Sequence, residues 1–247
     1  NPYSSQNYNR YSYCLNNPLV YTDPNGEFFL GYMFGFFRGL FSKKPWKAFE
    51  KGWKGGVNEV KMWGGLFATG SYMNHQSHRN FWTASWELIS RFTWQLPQTM
   101  IGHGYAQFSG YAGQVDNVDY WGGATVMSGN NWGQKAVTLS SFIIGDRTIS
   151  ADPNNSVFQH EYGHYLQSQS MGWGYLSRIG IPSLMSADGS GEHKYQPHEQ
   201  DANARAFLYF NRHVSGFYQT EAQYDTNIER GNSIGSVSYT HLRAHET

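Results

Sequence analysis

Two histidines at a helical spacing are the residues in this chain best suited to chemistry. Residues 157–167 read Val-Phe-Gln-His-Glu-Tyr-Gly-His-Tyr-Leu-Gln, with His160 and His164 four positions apart. On a helix this spacing stacks both imidazoles on one face, where their neutral nitrogens can bind one tetrahedral Zn²⁺ ion. Glu161 follows the first histidine, so its carboxylate can reach a water molecule at the metal without binding the metal itself. The pattern predicts a zinc site with Glu161 as general base.

The third metal ligand is expected further along the chain. A metzincin would place a histidine six residues after His164, but that position is Ser170, which excludes this subclass. The next candidates lie at or just before a predicted helix over residues 199–213, and they are His193, His198, Glu199 and Asp201. Glu199 shares one helix face with Asn203 and two alanines, which allows close approach to the first helix. Asp201 points elsewhere and has Arg205 one turn away as its natural ion-pair partner.

The pattern Glu199-x-x-Ala202-Asn203 is similar to the third-ligand helix of gluzincin metallopeptidases. The resemblance implies that Glu199 binds zinc and that position 203 orients a ligand histidine. Asn203 stands where the family has an aspartate, and it can still accept a hydrogen bond from an imidazole, though more weakly. We therefore expect an α+β, zincin-like metallopeptidase with a β hairpin before the His160 helix and the third-ligand helix after it. For the group that stabilises the tetrahedral oxyanion, the candidates are Tyr195, Tyr209 and His213, and the sequence does not choose among them.

The elements that position these residues follow from hydrophobic periodicity. Residues 124–127 and 136–144 alternate as strands, and residues 137–144 are the candidate for the edge strand that pairs with an extended substrate in zincin folds. Asp152-Pro-Asn-Asn-Ser is a helix-entry sequence, with Asn155 or Ser156 as N-cap. A further helix is predicted over 78–95, with Phe81, Trp82, Trp86, Ile89 and Phe92 on one side and Pro97 ending it.

An aromatic and basic region precedes these elements. The apolar run 28–41 is too short and too interrupted to span a bilayer as a helix, so we expect it to be buried or interfacial. Trp46, Phe49 and Trp53 have the spacing of an amphipathic helix. This spacing is compatible with a membrane-surface role, but it favours a helix packed on the following domain with a solvated lysine face, and we expect no membrane contact.

Composition excludes several classes of function. Lys and Arg total 18 and Asp and Glu total 18, so no global field attracts nucleic acid. A single cysteine, Cys14, excludes an internal disulfide and any multi-cysteine metal site, and a packed thiol is its expected state. Three further histidines without ligand-like spacing are expected to be structural: His75, His78 and His103.

Residues 1–27 differ in composition from the rest of the chain. The run Asn9 to Gly26, NRYSYCLNNPLVYTDPNG, resembles the end of the conserved core of RHS/YD-repeat proteins. The resemblance implies that residues from about Phe28 onward are a variable C-terminal cargo, often a toxin, of a bacterial exported or cell-surface protein. The expected partners are then a protein or peptide substrate, the shell of the parent chain and a cognate immunity protein. Self-cleaving members often have Leu where this chain has Glu27, so the resemblance does not extend to self-cleavage. A toxin and a protease that matures its own shell are both compatible with the resemblance.

Four segments are expected from these observations: the RHS-like end at 1–27, the aromatic and basic region at 28–65, the peptidase domain at 66–235 and a tail at 236–247. The tail resembles one that recurs on metagenomic open reading frames, so no role is assigned to its histidines. Two other classes of function are compatible with the sequence. One is a peptidoglycan amide hydrolase with the same ligands, and the other is a non-catalytic adhesive module, against which Glu161 speaks.

Overall fold

The computed structural model describes residues 28–70, 81–129, 136–186, 196–215 and 217. They divide into two compact units, one with residues 28–60 and 110–113, the other with the described residues of 61–109 and 114–217. The described residues form seven α-helices and a four-stranded mixed sheet, which confirms the expected α+β class. The RHS-like segment 1–27 and the tail 236–247 lie outside the described residues.

Two glycine-rich helices provide most of the smaller unit. Helix α1 is Phe29–Leu40 and α2 is Ala48–Gly64, preceded by one 3₁₀ turn at Pro45–Lys47. Gly31, Gly35 and Gly39 on α1 lie against the α2 backbone, and a Cβ on any of them would overlap it. Glu59 of α2 accepts a hydrogen bond from the backbone N–H of Gly31 at 2.6 Å. The glycine faces therefore lie inside the pair and many of the large apolar side chains lie outside it.

This arrangement differs from the predicted one. Trp46, Phe49 and Trp53 were expected to be the packed row of an amphipathic helix, but all three side chains are exposed, so that expectation is wrong. An adjacent face of α2 carries Gly52 and Gly55, and it is this face that approaches α1. Helices without side chains at their contact can come closer than any aromatic row permits.

The predicted helix over 78–95 differs from the structure, which has two helices in this region, α3 (Phe81–Arg91) and α4 (Leu96–Tyr111). Residues 78–80 lie outside the described residues, and α3 ends at Arg91. Pro97 lies in the first turn of α4, where the missing N–H is not needed, instead of ending the preceding helix.

Helix α3 turns its polar side inward. Arg91 donates hydrogen bonds to Glu87 Oε1 at 2.9 Å and to the carbonyl of Gly123 at 2.7 Å, and the Tyr165 hydroxyl also donates to Glu87. The apolar row that the sequence placed on one side is exposed, and it comprises Phe81, Trp82, Trp86, Ile89 and Phe92. The spacing identifies residues that share a face, but the buried ion pair determines which face points inward.

The sheet lies in the larger unit. Its strands are β1 (Val115–Trp121), β2 (Ala124–Gly129), β3 (Ala136–Leu139) and β4 (Phe142–Asp146), in the order β1-β2-β4-β3. Strands β2 and β4 are parallel, and the two outer pairs are antiparallel. Strand β1, which the sequence did not predict, reaches β2 through Gly122 and Gly123, both with positive φ.

Residues 136–144 form a hairpin instead of the one strand that was predicted. The chain reverses at Ser140 and Ser141, with φ of 56° at Ser140, so Leu139 pairs with Phe142. Strand β4 is consequently an inner strand, and β3 and β1 are the two edge strands of the described sheet. Ser-Ser is a weak turn sequence, so the alternating pattern gives little indication of the reversal.

Alternate residues of the inner strands face two different cores. On one face, Val126 and Ile143 pack with aromatic side chains of helices α5 (Ser156–Met171) and α7 (Pro197–His213). On the other face, Met127 and Ile144 pack with Met62 and with residues near it. A 3₁₀ turn, a π-helical turn (Leu176–Gly180) and the short helix α6 (Ile181–Ser186) follow α5. Within the described ranges, no helix combines the length and apolar character needed to cross a bilayer.

Candidate metal centre

Helix α5 presents the two histidines that the sequence singled out. The helix begins after Asn155, whose side chain accepts a hydrogen bond from the backbone N–H of Phe158 at 2.9 Å, so the expected N-cap is confirmed as Asn155. His160 and His164 lie one turn apart, with ring centroids 4.9 Å from each other. Their spacing therefore places both rings on the same face of the helix.

Helix α7 brings Glu199 to these rings. Glu199 Oε2 lies 3.0 Å from His160 Nε2 and 3.1 Å from His164 Nε2. The approach depends on small residues, because a Cβ at Gly163 would overlap the backbone of Ala202. The three side chains form a buried group whose ligand atoms all lie within 4.8 Å of one another, and this group could hold a metal ion.

Two amides orient the histidine rings. His160 Nδ1 lies 2.8 Å from Asn203 Oδ1, and His164 Nδ1 lies 2.8 Å from Gln167 Oε1. Asn203 thus occupies the orienting place that the gluzincin resemblance implied. Gln167 was missed by sequence reasoning, although its position three residues after His164 is a spacing at which helical side chains meet.

The hydrogen bonds of Gln167 test whether the group suits a metal ion. Gln167 Nε2 donates to the His198 carbonyl and to Asp201 Oδ2, both at 2.8 Å, so Gln167 Oε1 accepts the proton of His164 Nδ1. In a neutral His164 the Nε2 lone pair faces the Glu199 carboxylate, and these two atoms repel unless a cation lies between them, whereas a protonated His164 donates from Nε2 to Glu199. Two imidazole nitrogens and a carboxylate are also the ligands of one class of catalytic zinc site. The residues present therefore fit a divalent metal.

Electrostatics within the group favour a cation. Burial lowers the pKa of His160, but its hydrogen bond to Glu199 and the charges of Glu199 and Glu161 outweigh burial and raise this pKa to about 9. Burial also raises the pKa of Glu199, yet hydrogen bonds from His160 and His164 hold it well below its ordinary value. Glu199 is only 1% exposed, so its negative charge depends on these cationic or metal-bound partners.

Glu161 lies beside the group and is held from the sheet. The hydroxyl of Thr138 on β3 donates to Glu161 Oε2 at 2.6 Å, and the Tyr175 hydroxyl donates to the Thr138 carbonyl at 2.9 Å. Burial and the charges of Glu161 and Glu199 raise the pKa of Tyr175 well above its ordinary value, so its hydroxyl stays protonated. Thr138 and Tyr175 were missed because residues so far apart in sequence meet only through the fold.

The other third-ligand candidates have different partners. His198 Nε2 lies 3.2 Å from Glu199 Oε1, the carboxylate oxygen that does not face His160 and His164. Asp201 pairs with Arg205 Nε at 2.7 Å, as expected, and also accepts a hydrogen bond from Gln167. Asp201 therefore supports His164 through Gln167. His193 lies outside the described residues.

The oxyanion candidates are not brought to this group by any contact described. Tyr209 packs on Trp121, Tyr162 and His213, with a ring separation of 4.9 Å from Tyr162. At 1.5 Å per residue, Tyr209 lies about 15 Å along α7 from Glu199, and His213 lies about 21 Å along it. The role suggested for Tyr209 and His213 gains no support from this placement. Tyr195 lies outside the described residues.

Comparisons with known proteins give no relative for this chain. No family model matches it, and no curated protein and no solved structure is similar to it. The functional argument therefore stands on the residues and their geometry.

Proposed function

We propose that this protein is a zinc-dependent metallopeptidase that uses His160, His164 and Glu199 as metal ligands and Glu161 as general base. The observation that carries the proposal is the buried His-His-Glu group with a separate carboxylate beside it. A purely structural site has no need for a base at position 161. Zinc bound by this set would polarise a substrate carbonyl and lower the pKa of a water molecule.

Glu161 and Thr138 would provide the proton transfer that hydrolysis also needs. Glu161 Oε2 accepts the hydrogen bond from Thr138, which leaves Oε1 to take a proton from the attacking water and pass it to the leaving amine nitrogen. Thr138 lies on β3, one of the two edge strands of the described sheet. An extended peptide lying along β3 would therefore run past Glu161, and this position of the general base beside an edge strand supports a peptide substrate and a zincin-like fold.

Metal content is the first test. Wild-type protein purified without chelator should contain nearly one zinc per chain by mass spectrometry, whereas His160→Ala and Glu199→Ala should contain almost none. Asp116→Asn is the matched control, because Asp116 pairs with Arg147 on the surface at 2.7 Å and lies on β1. Absence of zinc from the wild type would overturn the proposal.

A hydrolysis assay distinguishes residues needed for catalysis from residues needed for metal binding. Glu161→Gln should keep its zinc and lose about 10²–10⁴-fold in the rate of casein or peptide cleavage, since it can no longer accept a proton. Thr138→Val should also keep its zinc and lose rate chiefly in kcat. Hydrolysis of purified cell walls in place of casein would identify the peptidoglycan amide hydrolase instead.

The biological role proposed with this activity comes from the RHS-like segment at 1–27. We expect the peptidase to act as the C-terminal effector of an exported RHS-repeat protein, with a cognate immunity protein in the producing cell. Expression of the wild type in a test bacterium should arrest growth, and Glu161→Gln should not. If the wild type and Glu161→Gln are equally toxic, the toxicity does not come from peptidase activity.

A further inference from the structure

The outer surface of the α1–α2 pair combines exposed aromatic rings with lysines. Trp46 is 75%, Phe49 66% and Trp53 58% exposed. Aromatic contacts extend this surface onto α1, with Phe28 and Trp53 5.3 Å apart and Tyr32 and Phe49 5.9 Å apart. Contiguous exposed apolar surface of this kind in a folded protein marks an interaction site.

A lysine row runs beside the aromatic row. Lys47, Lys51 and Lys54 follow the spacing i, i+4, i+7; Lys47 and Lys54 come directly after Trp46 and Trp53 and so lie about 100° around the helix from them, and Lys51 lies about 160° from Trp53. Residues 28–60 contain six basic and two acidic side chains, a formal charge of +4 in a chain whose total is zero. One of the two acids, Glu59, is buried and accepts hydrogen bonds within the unit.

We propose that the α1–α2 surface binds the headgroup region of membranes that contain anionic lipids. Trp and Phe side chains are those that favour the boundary between headgroups and acyl chains, and lysines beside them attract lipid phosphate. The glycine contact between α1 and α2 supports this use, because it holds the pair together while leaving the large side chains free to enter the lipid.

Charge favours a membrane over a second copy of the chain. In a symmetric dimer the same surface meets itself, so two surfaces that both carry positive charge would be brought together and repel. An anionic bilayer instead complements both features at once, taking the aromatic rings into its interface and pairing the lysines with phosphate. This inference is independent of the proposed peptidase activity.

Vesicle binding tests the inference on the whole chain. Sedimentation with sucrose-loaded vesicles of phosphatidylcholine containing about one part in four of phosphatidylglycerol should capture the protein at least about tenfold better than phosphatidylcholine alone. Raising the salt concentration should weaken this binding, because the lysine contribution is screened. Equal binding to both vesicle types, or no binding, overturns the proposal.

Substitutions separate the two parts of the surface. Phe49→Ser with Trp53→Ser should reduce partitioning at least about tenfold through lost apolar burial, and Lys47→Gln with Lys54→Gln should reduce it about fivefold per lysine. The lysine variants change only side chains that are already exposed, so they test the surface even if the aromatic variants fold poorly. The zinc content should be the same in both double variants as in the wild type.

Phe108→Ser is the matched control, because Phe108 lies on α4 with the same exposed fraction as Phe49, 66%. It should bind vesicles like the wild type. An equal loss in Phe108→Ser, or full binding by the lysine variant, contradicts the proposal. So does concentration-dependent dimerisation that Phe49→Ser abolishes in a protein that does not bind vesicles, since that result assigns the surface to a second copy.

Discussion

At the centre of the candidate site, one carboxylate oxygen of Glu199 lies 3.0 Å and 3.1 Å from the Nε2 atoms of His160 and His164. The Nδ1 atoms of both rings are occupied by side-chain amides, which leaves the Nε2 atoms to face Glu199. Partners of this kind fix the orientation of a ligand histidine and contribute to metal affinity. The site is therefore best tested through residues that do not touch the metal.

Asn203 provides that test for His160. Asn203→Ala removes the hydrogen bond at Nδ1, and we expect zinc affinity to fall about 10–100-fold. Asn203→Asp keeps an acceptor of stronger basicity and should bind zinc at least as well as the wild type. Competition titration with a fluorescent chelator measures both, and equal loss in the two variants would contradict this role for Asn203.

The raised pKa of His160 predicts a proton exchange. Without metal, His160 stays protonated up to about pH 9, well above the ordinary value near 6.5. A metal at Nε2 must displace that proton, so zinc affinity should rise by up to about tenfold per pH unit between pH 7 and 9 and then level off. Calorimetry at pH 7.5 in buffers of different ionisation enthalpy should show release of about one proton. No proton release would disprove the proposed charge state.

At the scale of elements, the distance between α5 and α7 determines whether the group can bind metal at all. Each helix alone carries only part of the ligand set, and the two meet where Gly163 lies against Ala202. The spacing of each helix is local, but their separation is set by the smallest side chains at the contact.

Gly163→Ala tests this contact. A methyl group there overlaps the Ala202 backbone, so α7 must shift, Glu199 must move away from the histidines, and zinc binding should be largely lost. Gly104→Ala on α4 is the control, because a Cβ at Gly104 meets nothing within 4 Å. It should keep its zinc and unfold with a free energy up to about 1 kcal/mol higher, from improved helix propensity. Zinc content and thermal unfolding report both variants.

At the scale of the whole molecule, net charge and the candidate metal ligands are distributed unevenly. The +4 of residues 28–60 is balanced by the rest of a neutral chain, and the candidate metal centre lies in the larger unit. The proposed membrane-binding surface and the candidate metal centre therefore belong to different units.

Metal binding should consequently stabilise the larger unit. Free zinc at about one hundred times its dissociation constant adds about 2.7 kcal/mol to the free energy of unfolding, which corresponds to a rise of about 5–10 °C in Tm. Differential scanning calorimetry of chelator-treated protein, with and without zinc, measures the shift. His160→Ala should show little or none, and a full shift in that variant would place the zinc elsewhere.

The sequence by itself determined the features that depend on neighbours along the chain. The His160-Glu161-x-x-His164 helix, its Asn155 cap and the face shared by Glu199 and Asn203 all follow from helical spacing and local hydrogen bonding. The α+β class follows from the change of hydrophobic period along the chain.

Only the tertiary structure decided which faces point inward and which distant residues meet. Periodicity places Phe49 with Trp53 and Trp82 with Trp86, but glycine contacts and the buried Arg91–Glu87 pair turn those faces outward. The contact of Thr138 with Glu161 likewise depends on the reversal at Ser140 and on sheet order. Local spacing fixes which residues share a face of one helix or strand. Which face points inward depends on the contacts that each face of the element can make with its neighbours.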